Sequence, residues 1–251
     1  MIRRLATLAL AACLLGGWPG QALSGEANVA VAANFAVPAR ELAHRFGQET
    51  GHRILLATGS TGKHFAQIFN GAPFAAFLAA DETRPTRLEE EGLAVAGSRF
   101  TYAVGRLVLW SARRDLVDAE GEVLGGAGFN HLAMASETLA PYGAAARQTL
   151  QELGLWEELQ GRIVRGENIG QAFQFAHSGN ADLGLVALSQ VLALAADQQG
   201  SWWLVPSRLH DPIRQQAVLL RDDPVARSFL EFLKSRAAQD IITGYGYGLP
   251  E

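Results

Sequence analysis

Short apolar runs alternate along this chain with segments whose apolar residues recur at helical spacing. The run NVAVAA from Asn28 is small and apolar enough to be a strand buried on both faces, and it ends at Asn34. Leu42, Ala43 and Phe46 follow at helical spacing, with Pro38 near the start of that segment and Gly51 near its end, so Asn34 is an N-cap candidate. A second strand, Arg53 to Ala57, leads into GSTGKHFAQIFNGAPFAAFLAAD (Gly59 to Asp81), which reads as a turn, a helix and a buried strand ending on an acid. Ser60 and Thr61 stand at the cap, Phe65, Ile68 and Phe69 mark the apolar face, and Asn70-Gly71-Ala72-Pro73 stops the helix. Its first turn carries Gly62 and no acid. Free backbone N–H groups, the positive end of the helix dipole and two hydroxyls then point one way, which makes an anion seat.

The pattern continues with a short helix from Arg84 to Gly92, a strand from Tyr102 to Trp110, a glycine loop at 125–128 and a strand from His131 to Ala135. A helix from Gly143 to Leu153 follows, then a strand from Arg162 to Val164. In ENIGQAFQFAHSG a helix places Ile169, Ala172, Phe173 and Ala176 on one face, and Ala181 to Val186 is again a strand. Gln216 to Leu220 is the last strand, two helices cover Val225 to Leu233 and Ser235 to Thr243, and the tail Gly244 to Gly248 reads as irregular. Strands alternating with helices predict parallel pairing, with ligands gathered beyond the carboxyl ends of the strands. Asn34 and Ser60-Thr61 both lie at that end. Cuts near Val104 and Val205 divide the chain into a discontinuous lobe, 25–104 with 206–251, and a second lobe, 105–205. Trp202 and Trp203 are expected to pack between the lobes.

With 251 residues, 49% of them hydrophobic, the chain can bury one large core or two modest ones. A net charge of −4 and the lack of any basic run argue against nucleic acid as a partner. The start has two arginines, an apolar run from Leu5 to about Leu15, a Gly/Pro break and small residues, the pattern of a secretory signal over 1–24 with cleavage after Ala22 or Ser24. That run is shorter than the roughly 20 residues a bilayer span needs. Leu10-Ala11-Ala12-Cys13 resembles a lipoprotein box, but the apolar run continues past the cysteine, which favours release over lipid anchoring. Cys13 is the only cysteine, so the mature chain has no disulfide, thiolate nucleophile or zinc–cysteine site.

GSTGKH invites comparison with a nucleotide-binding loop and departs from it twice. Ala57 stands where the first glycine belongs, and His64 stands where the magnesium-binding hydroxyl belongs. The six histidines show no metal-ligand spacing and read as surface residues, so no metal ligands are expected. Ser60 lacks the strained turn of a hydrolase nucleophile, and no base for it is evident. Each candidate also has an ordinary structural use: Asn34 and Ser60 as helix caps, Tyr142 as a loop aromatic, Ile169 as core that contributes only its N–H.

Taken in order, VAVAANF, the Gly59–Asp81 stretch, TLAPYGAAARQTLQELGLW, ENIGQAFQFAHSGNADLGLVALSQV and the ending YGYGLP resemble the periplasmic molybdate-binding proteins of ABC importers, from about Ala27 to Leu249. The resemblance implies a two-lobe α/β periplasmic binding protein fold of type II, each lobe a mostly parallel sheet flanked by helices, that closes on a tetrahedral oxyanion. It implies a monomer without cofactor or catalysis, which takes molybdate and tungstate and passes them to a membrane permease; another oxyanion such as sulfate is the alternative. By position, Asn34, Ser60, Thr61, Tyr142 and the Ile169 backbone N–H fall on the ligand-binding positions. Ala187 departs from the tyrosine that many relatives carry there, and Tyr142 stands where they often have a small residue, so the phenol of Tyr142 is expected to replace the missing donor.

Overall fold

The computed structural model describes residues 24–250; the expected signal segment, up to Leu23, and Cys13 lie outside the described residues. The first half of the chain lays down β1 (Glu26–Ala32), α1 (Ala36–Thr50), β2 (Arg53–Gly59), α2 (Thr61–Phe69), β3 (Ala76–Leu78), α3 (Thr83–Glu90) and β4 (Phe100–Gly105). The second half begins with β5 (Leu107–Ser111), then β6 (Leu132–Ala135), α4 (Pro141–Glu152), α5 (Trp156–Leu159), β7 (Ile163–Gly166), α6 (Ile169–His177), β8 (Leu183–Ala187), α7 (Leu188–Leu192) and β9 (Ser201–Leu204). The chain then returns as β10 (Ile213–Leu219), α8 (Pro224–Phe232) and α9 (Arg236–Gly244).

Two five-stranded mixed sheets result, in the orders β2-β1-β3-β10-β4 and β7-β6-β8-β5-β9. In the first, β1 runs parallel to β2 and β3, and the returning β10 lies antiparallel to β3 and β4. The second repeats the plan, with β6 parallel to β7 and β8, and β5 antiparallel to β8 and β9. The alternation in β1 explains its burial on both faces. Val29 and Val31 join Phe35, Leu42, Phe46, Phe229 and Ile242 under α1, α8 and α9, while Ala30 faces Ile68, Leu88 and Val218 on the α2–α3 side. Each fully buried Val, Leu or Phe contributes about 1.5–3 kcal/mol, so this two-sided burial is what fixes the strand's register.

The apolar run from Tyr102 to Trp110, expected as one strand, is two. It changes sheets at Arg106, the first crossing between the halves; the second lies between Leu204 and Ile213. A strand buried on both faces carries no periodic signal of a change of partner. The break is marked by Gly105, where a β-carbon would run into the Tyr142 hydroxyl and stand 2.8 Å from Gln215 Nε2.

Two further expectations are corrected. Trp202 and Trp203 sit on the edge strand β9 rather than between the halves. Trp202 is 39% exposed, while Trp203 packs over Gly121 in its own half, as alternation along a strand requires. The tail is not simply irregular. Gly248 exchanges two backbone hydrogen bonds with Val104 (2.7 and 2.9 Å), which carries Tyr247 into the core where the halves meet. Gly246 takes φ 79° there, with Leu188 and Leu192 against it.

Candidate functional site

Four chain segments, two from each half, enclose a small cavity between the sheets. They are Ala32–Asn34, Gly59–Thr61, Ala140–Tyr142 and Asn168–Ile169, with Ala80 completing the wall. The volume is about 10 Å³, room for about one water-sized body and far too little for an organic solute. All five residues singled out in the sequence, Asn34, Ser60, Thr61, Tyr142 and Ile169, line it. None of the lining residues is Asp, Glu, Lys, Arg or His.

Each segment is also the start of a helix: the 3-10 turn Ala33–Phe35 that leads into α1, then α2, α4 and α6. A helix start carries unpaired N–H groups and roughly half a positive charge, so four of them aimed at one point attract an anion without any cation. The sheets place them there, because β1 and β2 end at the cavity side by side (Ala32 opposite Gly59) and β6 and β7 end together on the other side (Ala135 opposite Gly166).

The α2 seat is less open than its sequence suggests. Gly62 N–H reaches across the cleft to Leu139 O (2.8 Å), Lys63 N–H is capped by Ser60 Oγ (3.3 Å), and His64 N–H bonds Ser60 O (3.0 Å). Three first-turn donors are thus committed within the protein, which corrects the expectation of free N–H groups. Thr61 N–H has no acceptor among the described residues. The two hydroxyls supply the rest: Ser60 Oγ and Thr61 Oγ1 act as acceptors, the latter from Ala80 N–H (3.1 Å), so both keep their own protons to donate. At α6, Asn168 caps Gln171 N–H (3.0 Å) and the Ile169 N–H is left unpaired in the same way.

Asn34 does not cap α1. The intervening 3-10 turn moves the cap position to Phe35 and turns the Asn34 side chain inward. Its Nδ2 donates to Gln215 Oε1 (2.9 Å) and to the Tyr247 hydroxyl (3.0 Å), while the Asn34 backbone carbonyl accepts from Ser189 Oγ (3.0 Å). What it can offer the cavity is its backbone N–H. Tyr142 lies in the first turn of α4 rather than in a loop, and its hydroxyl accepts from Gln215 Nε2 (3.3 Å). Burial pushes the Tyr102, Tyr142 and Tyr247 phenols above their ordinary value, so all three keep their protons.

His64 is not a surface residue; only 4% of it is exposed. It shares the inner face of α2 with Ile68, its ring stands edge-on to Phe74 and Phe77, Nδ1 lies 3.1 Å from Gln67 Oε1, and Nε2 has no partner. Burial lowers its pKa, so the imidazole beneath Gly59 is neutral and adds no cation to the cavity. Nor does it bond Ser60, whose hydroxyl pairs only with Lys63 N–H among the described residues. Ala187 is buried but does not line the cavity; its N–H donates to Gln190 Oε1 (3.1 Å). Sequence reading missed Gln215, Tyr247, Ser189 and Tyr102. The available signal was the pair Gln215-Gln216, two uncharged amides directly before the apolar run Ala217 to Leu219.

An uncharged cavity lined by donors, set between two α/β halves that exchange chain twice, defines a solute-binding protein. The chain belongs to the bacterial extracellular solute-binding protein family, whose family model matches residues 27–248. It is 51% identical over 231 residues to the molybdate-binding protein ModA of Azotobacter vinelandii, covering 91% of this chain and 92% of that one. It is 48% identical over 242 residues to ModA of Rhodobacter capsulatus, covering 95% and 94%. The solved structure of the Azotobacter vinelandii periplasmic molybdate-binding protein superposes with a TM-score of 0.87 at 44% identity, covering 90% of this chain and all of that one.

Proposed function

We propose that this chain is an exported binding protein, not an enzyme, that captures molybdate, and tungstate with it, between its lobes and delivers the anion to the permease of an ABC transporter. The observation that carries the reading is the convergence of four helix starts on a cavity without charged side chains. Relatives named as molybdate-binding proteins at about half identity give the anion its identity. On this reading the donors are the hydroxyls of Ser60, Thr61 and Tyr142 and the backbone N–H groups of Asn34, Thr61 and Ile169. The lobes are 25–104 with 206–251 and 105–205; the mature protein works as a monomer in the periplasm, and a signal over residues 1–24 sends it there.

A dianion in such a site needs no cation, because each hydrogen bond to a charged group contributes about 1.5–3 kcal/mol. Selectivity follows from rigidity. The donors are fixed to strand ends and helix starts, so a smaller tetrahedral anion cannot reach all of them, and buried donors left unmade are costly. Protonated phosphate requires an acceptor, and the hydroxyls of Ser60, Thr61 and Tyr142 already accept from Lys63 N–H, Ala80 N–H and Gln215 Nε2, which leaves them to the anion chiefly as donors.

Calorimetric titration of the mature protein with molybdate, tungstate, sulfate and phosphate tests the reading. Submicromolar binding of the first two, with no response to the others, is expected. Silence toward molybdate and tungstate refutes it. Tyr142→Phe then tests whether that phenol replaces the donor missing at Ala187: a loss of about tenfold or more is expected from one charge-assisted bond, and unchanged affinity rejects the exchange.

A further inference from the structure

Gln215 has no place in the cavity wall, yet it is fully buried and touches both halves beneath it. It stands on β10 at the point where pairing with β4 shifts register, just after the second crossing. Its carboxamide has three partners. Oε1 accepts from Asn34 Nδ2 (2.9 Å) and lies 3.0 Å from the Tyr102 hydroxyl, and Nε2 donates to the Tyr142 hydroxyl (3.3 Å). Gly105, at the first crossing, leaves the space this contact occupies. One side chain thus joins Asn34 and Tyr142, a wall residue from each half, and abuts both crossings.

The orientation of that amide is not free. The two buried amides are oriented as a pair: Asn34 Nδ2 donates to Gln215 Oε1, which leaves the Gln215 nitrogen facing Tyr142. A phenol oxygen that receives this N–H must turn its own proton elsewhere. Two destinations remain: the Tyr247 oxygen, which the Tyr142 hydroxyl reaches beside Asn34 Nδ2 and where its proton rests without a ligand, and the cavity, toward which that proton swings when an anion is bound. From this geometry we infer that Gln215 is a positioning residue: through the chain Asn34–Gln215–Tyr142 it fixes Tyr142 as a proton donor toward the bound anion and holds that donor in register with the Asn34 segment across the cleft. The inference rests on the proposed anion site.

The test uses the isosteric Gln215→Glu. Its carboxylate can only accept, so the Tyr142 proton turns away from the cavity and toward residue 215. Molybdate affinity is expected to fall about 100-fold at pH 8, with the wild-type circular dichroism retained. Lowering the pH to 5.5 protonates part of the buried carboxyl, restores a donor and recovers affinity relative to the wild-type profile over the same range. The titratable groups facing residue 215 are the Tyr102, Tyr142 and Tyr247 phenols, all protonated throughout; Asp81, which acts on Tyr102, is ion-paired with Arg84.

Charge repulsion alone would also weaken binding, so the deciding measurement is a double-mutant cycle. In a Tyr142→Phe background no proton remains to be turned, and the same Gln215→Glu change is expected to cost at least about tenfold less. Gln215→Met, which keeps the volume and adds no charge, is expected to cost about tenfold with Tyr142 present and about nothing without it. Equal cost in both backgrounds, or a Gln215→Met protein that binds like wild type, overturns the inference while the site reading stands. A wild type that binds neither molybdate nor tungstate overturns both.

Discussion

Replacing Thr61 by valine removes one hydroxyl and almost no volume, and the structure predicts two separable losses. Thr61 is 1% exposed, and its Oγ1 accepts the N–H of Ala80, equally buried, at 3.1 Å. Without the hydroxyl that N–H loses its partner, which costs about 1–3 kcal/mol of folding stability. For a chain of this size about 1 kcal/mol moves Tm by roughly 2–4 °C, so the unliganded variant should melt about 2–12 °C lower. The second loss concerns the anion. A hydrogen bond to a charged group contributes about 1.5–3 kcal/mol, and about 1.4 kcal/mol is tenfold in affinity, so molybdate should bind about 10- to 150-fold more weakly. Melting without ligand and calorimetry with it read the two losses independently. Thr61→Ser keeps the acceptor and the donor and should stay near wild type in both. A Thr61→Val protein with lowered Tm but affinity within threefold of wild type would refute the assignment, because the hydroxyl would then serve Ala80 alone.

Other outcomes follow from the same geometry. Gly143→Ala puts a β-carbon into the Ala135 and Ser136 carbonyl groups, so the start of α4 must move; Tm should fall by several degrees and molybdate binding should weaken through the adjacent Tyr142. The Lys63–Glu167 pair spans the cleft at 2.8 Å with both side chains about half exposed, so Glu167→Gln should lower affinity by less than about fivefold, and the difference should vanish in 1 M salt, as titrations at two ionic strengths would reveal. The His64 pKa is lowered by burial, so the unfolded chain takes up the proton first; the stability its neutral ring contributes is complete above about pH 6.5 and is lost as pH falls through the depressed folded value. Thermal melts from pH 7.5 to 5.5 should show this decline, and His64→Gln should flatten it.

How much of this could be read from the sequence depends on which force fixed each feature. The Val/Ala alternation of β1 and the amphipathic spacing of α1, α2 and α6 are local, so those elements were legible, as was the position of Ser60 and Thr61 at a helix start. The split of 102–110 into β4 and β5 was not, because both pieces are apolar; Gly105 and the exposed Arg106 mark the break locally, but the contact that requires it, Tyr142 against Gly105, is distant in sequence. His64 looked polar and therefore superficial, yet its neighbours on the inner face of α2 place it under Gly59. Asn34 was legible as a wall residue but not as the donor to Gln215 and Tyr247, since those partners lie 181 and 213 residues away.

The cations nearest the cavity explain why its neutrality is maintained. Lys63 follows the α2 start directly, yet its ammonium is turned to Glu167 on the other half. Arg84 is held by Asp81 and by Thr138 O across the cleft (2.8 Å). With Gly62 N–H to Leu139 O and Ser189 Oγ to Asn34 O, these groups tie the halves together without using any of the cavity's remaining donors. These ties and the anion contacts therefore draw on different atoms, whereas the Gln215–Tyr142 bond, which also joins the halves, bears on both. An anion shifts the lobes toward closure only by what it adds to the closed form, and the fixed ties set how far that equilibrium must move. It follows that weakening a tie, as in Glu167→Gln, should lower the affinity for every oxyanion by one common factor. Changing a wall donor, as in Thr61→Val or Tyr142→Phe, should instead alter the ratio between oxyanions, because ions of different radius do not use each donor equally. Titrating molybdate, tungstate and sulfate against both kinds of variant separates the two roles, and a tie variant that changes the ratio would show that closure and recognition share the same groups after all.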